Sequence, residues 1–450
     1  MRHAEIETSK RGIVDRSLGL FATVHRGEGR TALLLMINVF ILLTAYYVVK
    51  PVREALILGE SGAEIKSYAS AGQAALFLLI IPLYGKWASR VNRVWLMNGV
   101  MAFFIANLGL FFILGRLGAS LGIAFYLWVG LFNLMLVAQF WAFANDIYTQ
   151  EKGERLFGVV GIGASLGAIF GAMLAGWMIE PVGPYSMMLV SAGLLGIAMI
   201  LTNWIHHREK RSNESTPGAS TSQATEQPLG TTGGFRLILN NRYLLFIALL
   251  VLISNCVNTT GEFILGKTVA QSAQTMTTGA ADAALAAKAY IGHFYADFFF
   301  WVNLVGAGLQ MFAVSRLMQW WGARTMLFVL PIIALGGYAM LAVIPVLGLI
   351  RVAKIFENSV DYSIQNTSRH ALFLPTSREE KYKAKAAIDG FFWRAGDTVS
   401  GLLVFAGTQL AFASRAFAAV NLVLVAVWIG IALAIARHGK RDGAVARAAA

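Results

Sequence analysis

The sequence has a single cysteine, Cys256, in 450 residues. That excludes an intramolecular disulfide and the cysteine spacings of a structural metal cluster. Charge is scarce too: 14% of residues are charged and 57% are hydrophobic, whereas a soluble domain carries about a quarter charged residues. Acidic residues are the scarcer sign, 24 against 37 Lys and Arg, for a net charge of +13. A basic balance first suggests nucleic acid. These bases sit in short loops between apolar runs, however, and no basic-aromatic groove accompanies them, so no nucleic acid polymer is expected as a partner. The first thirty residues are polar, with Arg2, Lys10, Arg11, Arg16, Arg26 and Arg30. They lack a short apolar core followed by a small-residue cleavage site, and no removable signal peptide is expected. With no metal-ligand cluster and no nucleophile beside a convincing base, neither an enzyme nor a bound cofactor is expected.

What the chain does have is apolar runs of eighteen residues or more, recurring from end to end. Such runs span a membrane as helices, because a backbone in lipid must satisfy its own hydrogen bonds. They are continuous and rich in Leu, Ala and Gly, unlike the short alternating strands of a barrel. The expected fold is an all-α membrane protein with 12 transmembrane helices in two pseudo-symmetric six-helix bundles. Spans are placed near 31–58, 67–84, 94–114, 120–145, 157–179, 184–204, 242–265, 289–315, 324–342, 345–366, 386–409 and 412–436. With the N-terminus inside, 25 of the 37 Lys and Arg fall in inner segments, 4 in outer loops and 8 within spans. This asymmetry predicts both termini in the cytoplasm. Between spans six and seven, "HHREKRSNESTPGASTSQATEQPLGTTGG" is polar and Ser/Thr/Gly-rich, the composition of a flexible linker. The expected organisation is a cytoplasmic segment 1–30, a bundle 31–205, a linker 206–240, a bundle 241–437 and a cytoplasmic tail 438–450. Charged inner loops recur at the same ordinal place in each half. Repeated halves suit carriers that rock two bundles about a central site.

Two motifs invite a nucleotide-site reading and fail on context. "GEFILGKT", Gly261–Thr268, matches the phosphate-loop pattern. That chemistry needs a strand before the loop and a helix after it, whereas here an apolar helix precedes it, a Gln/Thr/Ala-rich segment follows, and the expected topology puts it outside. "GVVGIGASLGAIFGAMLAG" looks like a dinucleotide loop but falls inside span five. Gly163, Gly167 and Gly171 are spaced four apart, on one helix face, and are expected to permit close helix packing.

The ionisable residues within spans carry the functional argument. "AYYVVKPVREALILGESGAE", residues 45–64, puts Lys50, Arg53 and Glu54 before the first apolar run is complete. Either the helix stops at Val49 and these charges lie in water, or it continues and they face a cavity. Charges at membrane depth usually persist for function, and the apolar run resumes at Ala55–Leu58. In span ten, "RVAKIFENSVDYSIQNTSRH" places Arg351, Lys354, Asn358, Asp361 and Gln365 at steps of three and four, one face of a helix. That stripe faces a cavity or else joins helices through salt bridges. Asn145 in span four, Asn258 and Glu262 in span seven, and Lys383 and Lys385 at the start of span eleven extend the set. Spans one, four, seven and ten are corresponding helices of the two halves, which converge on a midplane site in a pseudo-symmetric carrier. Bases mixed with carboxylates suit a phosphorylated anion: lysine is a point charge and arginine a bidentate fork.

"GKWASRVNR", Gly85–Arg93, resembles the loop motif of the major facilitator superfamily: glycine, three residues, Asp-Arg, one residue, Gly-Arg. Ser89 stands in the Asp place and Asn92 in the Gly place. Several longer segments resemble the ATP/ADP translocases of plastids and intracellular bacteria. "YVVKPVREALILGESGAEIKSY" is similar to that family's first-helix segment, with Lys50, Arg53 and Glu54 in its Arg, Lys and Asp places. "FWAFANDIYTQEKGERLFGVVGIGASLG" is similar to its fourth-to-fifth helix segment, and Glu262 after "NTTG" to its span-seven glutamate. "DYSIQNTSRHALFLPTSREEKYKAKAAIDGF" resembles a further segment ending Lys-Gly-Lys-Ala-Ala-Ile-Asp. There Asp361 replaces a Lys and Arg369-His370 a Lys-Glu pair. The resemblance implies a nucleotide exchanger with Lys50, Arg53, Glu262, Lys383 and Lys385 on the transport path.

The combined expectation is a secondary active carrier of a bacterial inner membrane that exchanges nucleotides or related phosphorylated anions by alternating access. Lys50, Arg53, Lys354 and Lys383 or Lys385 would meet phosphate. Glu54, Glu262 and Asp361 would hold those bases in the empty state, and Asn145, Asn258 and Asn358 complete the set. Proton-coupled carriage of another organic anion or drug, or a polytopic sensor without flux, stay open as alternatives.

Overall fold

A polar backbone inside lipid has to close its own hydrogen bonds, and helices do this within one segment. No strand is present among the described residues, and helices account for almost all of them. The structure, a computed structural model, describes residue 25 and residues 28–88, 93–148, 150–214, 234–373, 375–377, 380 and 384–448. Ser89, Asn92 and Lys383 lie outside the described residues, as does most of the expected linker.

The first six helices are α1 (Gly29–Glu60), α2 (Gly62–Ala88), α3 (Arg93–Arg116), α4 (Gly122–Ile147), α5 (Gln150–Val182) and α6 (Ser186–Glu214). A short helix, α7 (Gly234–Asn240), precedes α8 (Arg242–Met276), α9 (Ala283–Gly308), α10 (Val314–Met326) and α11 (Val329–Val343). The chain continues through α12 (Leu347–Val360), α13 (Asn366–Ala371), α14 (Lys385–Ala387), α15 (Trp393–Gln409) and α16 (Ser414–Ala448). Among the described residues, π-helical turns interrupt the later helices at π1 (Leu309–Ala313), π2 (Asp361–Gln365) and π3 (Ile388–Phe392). Helix α6 runs on to Glu214, so residues 206–214 are helical. Among the described residues, nine helices are long and apolar enough to cross a membrane. The segments expected as spans two, ten and eleven are not among them. Span ten is divided by π2 and carries Arg351, Lys354, Glu357 and Asp361, and span eleven carries Arg394 and Asp397.

The chain forms two compact units. Unit 1 draws on residues up to Leu56, on Leu79–Gln223 and on Lys288–Phe300; unit 2 draws on Ile57–Leu78, Ala224–Ala287 and Trp301–Ala450. In unit 1, α3 packs along α6, and an aromatic core joins α3 to α4. Phe104 meets Trp128 and Phe132 at centroid distances of 5.4 and 5.0 Å. In unit 2, α8 is central and packs against α15, α16 and α12, while α11 packs on α16 and α12.

The glycine face of α5 does what its four-residue spacing requires. A Cβ at Gly163, Gly167 or Gly171 would run into the carbonyl oxygens of Met36, Phe40 and Thr44 on α1, respectively. Backbone meets backbone there, and Thr44 Oγ1 lies 3.3 Å from the Gly167 carbonyl it donates to. Gly167→Leu is expected to lower stability by at least ~1–3 kcal/mol, the usual range for overpacking. Gly161→Ala, with open space around its Cβ position, should leave the unfolding temperature unchanged. Equal unfolding temperatures for the two variants would contradict this account.

At the start of α1, Glu28 accepts from Arg155 Nη1 at 3.1 Å and Nη2 at 3.2 Å, and from the His25 amide at 3.1 Å. Burial pushes the Glu28 carboxyl up, but the hydrogen bonds and positive charges of Arg155 and His25 outweigh it and hold it below its ordinary 4.5. A depressed carboxylate stabilises the fold above the unfolded value, and that contribution is lost as pH falls through the folded value. Acidification below pH 4.5 should therefore cost the wild type more stability than Glu28→Gln, as read by unfolding temperature against pH. Parallel curves would exclude the effect.

Candidate functional site

Helix α1 does not end at Val49. It continues through Pro51 to Glu60, with the proline inside it, and Lys50 is buried along with Glu54. The alternative that leaves these charges in water is thereby overturned. Their surroundings are aromatic. The Lys50 ammonium lies 3.9 Å from the Phe299 centroid, 4.8 Å from Tyr47 and 5.8 Å from Tyr46. Ring faces stabilise a desolvated cation by roughly 2 kcal/mol or more. Arg53 donates from Nε to Glu54 Oε1 at 3.0 Å and stacks 4.8 Å from the Tyr126 centroid. Unit 1 thus holds two bases and one carboxylate in a cluster that water barely reaches.

Unit 2 holds a second charged cluster. Lys354 on α12 is 1% exposed and faces two carboxylates, Glu357 at 3.2 Å and Glu262 at 3.6 Å. It also donates to Asn258 Oδ1 at 2.7 Å, and Asn358 donates to Glu262 at 3.0 Å. Tyr338 of α11 donates its hydroxyl proton to Glu357, with oxygens 3.0 Å apart. Burying charges is tolerated only when each is paired and hydrogen-bonded, and this network meets that condition. Gly261 makes room for it, because a Cβ there would strike the Tyr338 hydroxyl and approach Lys354 Nζ to 3.1 Å. The first glycine of the phosphate-loop match therefore serves packing. The whole match lies inside α8, and its lysine, Lys267, pairs with Glu64 at 3.4 Å. Close by on α8, Asn255 and Thr259 each donate to Asp397 Oδ1 at 2.8 Å, and Arg394 to Asp397 Oδ2 at 3.2 Å.

The expected residues therefore fall into separate groups. Lys50, Arg53 and Glu54 come together in unit 1; Asn258, Glu262, Lys354 and Asn358 come together in unit 2. Lys385 lies in unit 2 with different neighbours, pairing with Asp389 at 2.7 Å. Asp361 opens π2 and is half-buried, and Asn145 is exposed near the end of α4. Sequence reasoning missed Glu357 and Tyr338. The first was legible as a Lys-to-Glu step of three within a membrane helix. Tyr338 sits in an otherwise apolar run, "ALGGYAML", and nothing local singled it out. A cavity of about 800 Å³ in unit 2 is lined by Tyr243, Trp321, Arg324, Phe328, Leu372 and Pro375 among others. None of the expected site residues lines it, and the buried charges are the better guide to function.

Long apolar helices bearing buried, paired charges define a multi-pass membrane protein. The match to the Major Facilitator Superfamily runs over residues 32–356, and the chain belongs to that superfamily. A second family, described as the TLC ATP/ADP transporter, matches residues 309–438. ADP,ATP carrier protein 1 of Chlamydia pneumoniae is 22% identical, with 90% of each chain covered. The plastidic ATP/ADP-transporter of Solanum tuberosum is 22% identical over 87% of this chain and 70% of its own. In fold, the chain resembles the nucleoside transporter NupG at a TM-score of 0.60, with 14% identity, covering 90% of this chain and 98% of that one. The protein is a secondary active membrane transporter that resembles ATP:ADP antiporters.

Proposed function

We propose that this carrier exchanges adenine nucleotides or closely related phosphorylated anions across a bacterial inner membrane. In this reading twelve helices form two pseudo-symmetric six-helix bundles, residues 31–205 and 241–437, with both termini cytoplasmic. Lys50 and Arg53 serve the first bundle; Glu262, Lys354, Asn258 and Asn358 serve the second; Lys383 and Lys385 meet phosphate at the start of span eleven. Asp361 and Asn145 complete the substrate path. The observation that carries the proposal is the set of buried bases, each held by carboxylate or aromatic partners, in a chain similar over most of its length to proteins named ADP,ATP carriers.

Mechanistically, a carboxylate or an aromatic face keeps each base satisfied when no anion is present. An arriving phosphate offers more charge and more acceptor oxygens, so the base changes partner. Occupancy by one nucleotide or the other then lets the bundles rock, whereas the empty state keeps its internal ion pairs. Obligatory exchange follows. In proteoliposomes loaded with ADP, external labelled ATP should accumulate, and omission of internal nucleotide should abolish uptake. Uptake that ignores internal nucleotide and follows a pH gradient would overturn the exchange mechanism.

A further inference from the structure

A second basic group lies in unit 2, apart from Lys354, and includes a residue that the expected site did not contain. Arg369 on α13 and Lys385 on α14 share one carboxylate, Asp389 of π3. Lys385 Nζ is 2.7 Å from Asp389 Oδ2, while Arg369 Nε stands off at 3.9 Å from Oδ1. Those last two atoms are buried and make no hydrogen bond among the described residues. Asp389 is the carboxylate within 4 Å of both cations, and Asp361 acts on Arg369 only through a Coulombic interaction. The lysine is within hydrogen-bond reach of Asp389 and the arginine is not. The arginine is nevertheless held in place: its guanidinium lies 4.7 Å from the Trp393 centroid, and Lys385 Nζ lies 5.8 Å from that of Phe373.

We propose that Arg369 and Lys385 form a clamp for a phosphoryl group, with Asp389 as the resident counter-ion that the phosphate displaces. A phosphate oxygen would satisfy the Arg369 Nε proton that Asp389 is too far away to accept. The guanidinium fork fixes orientation and the ammonium adds a point charge. Stacking on Trp393 limits the freedom that Arg369 would lose on binding. The next residue reports the local field. Burial pushes the His370 imidazole down, and the charges of Lys385 and Arg369 push it further, against the opposing effect of Asp389. A third positive charge is disfavoured there, as at a place that attracts an anion.

This clamp deepens the exchange reading and rests on it for its ligand, so its test uses a phosphate that is not a nucleotide. The dissociation constant of inorganic pyrophosphate is measured calorimetrically on the purified full chain, alongside ATP/ADP exchange in proteoliposomes. Arg369→Ala should weaken pyrophosphate about 10-fold or more, as loss of a hydrogen bond to a charged group does. Arg369→Lys should fall between. Asp389→Asn should tighten pyrophosphate, because the competing carboxylate is gone; a merely structural role for the trio would not produce tightening. Unchanged pyrophosphate affinity in Arg369→Ala at an unaltered unfolding temperature overturns the clamp. If Arg369→Ala does not fold, unchanged affinity in both Arg369→Lys and Asp389→Asn overturns it equally. Arg369-dependent pyrophosphate binding without any nucleotide exchange would instead sink the exchange reading and leave the clamp standing.

Discussion

Lys354→Met should unfold more easily by roughly 3–5 kcal/mol, the loss found when one member of a buried ion pair is removed. The reason lies in the neighbours. Glu262 and Glu357 both face the Lys354 ammonium, which is 1% exposed. Without it, Glu357 stays buried with no cation beside it, while Glu262 keeps 22% exposure. The second carboxylate identifies the mechanism. In Lys354→Met/Glu357→Gln, the most buried uncompensated charge is gone, and Tyr338 can still donate to the glutamine oxygen. That double variant should recover part of the loss, with a coupling of about 0.5–3 kcal/mol expected for residues in one network. Unfolding in a single detergent, followed with temperature for all three proteins, decides it. Additive losses would mean that Lys354 and Glu357 do not compensate each other. Exchange should be absent in both variants, since neither has the base.

Lys50→Ala should raise the KM for nucleotide roughly 10- to 150-fold while the protein still folds, from the ~1.5–3 kcal/mol of a hydrogen bond to a charged group. Folding survives because Lys50 is held by the faces of Phe299, Tyr47 and Tyr46, which are content with an apolar neighbour. The contrast with Lys354 lies in the surroundings: that lysine faces two carboxylates, whereas Lys50 packs against aromatic rings. Lys50→Arg keeps the charge but replaces a compact ammonium with a wider planar fork, and should recover only part of the affinity. Exchange kinetics with an unchanged KM in Lys50→Ala would remove Lys50 from the substrate path.

The class of the fold was legible because lipid imposes a rule that composition alone can meet. Continuous apolar runs, a shortage of charge and bases gathered in short loops leave few alternatives to a helical membrane protein. The face of α5 was equally plain, since Gly163, Gly167 and Gly171 repeat at the period of the helix and meet the backbone of α1. The stripe in span ten was legible only in part. Its steps of three and four assume α-helical geometry throughout, but Asp361–Gln365 forms a π turn. The wider turn changes the spacing along the stripe from Asp361 onward. Such an inserted turn leaves no local signature in residue type.

The sequence by itself determined that this chain is helical, crosses a membrane and carries bases and carboxylates where only water or a partner could keep them. It could not determine which charge meets which. That Lys354 stands between Glu262 and Glu357, that Lys50 faces aromatic rings, and that Arg369 shares Asp389 with Lys385 are matters of tertiary structure. The reason is physical. Membrane insertion depends on the summed hydropathy of one segment, which is local. Pairing depends on atoms brought within about 4 Å by helices far apart in the chain, the range in which a hydrogen bond adds to the Coulomb attraction.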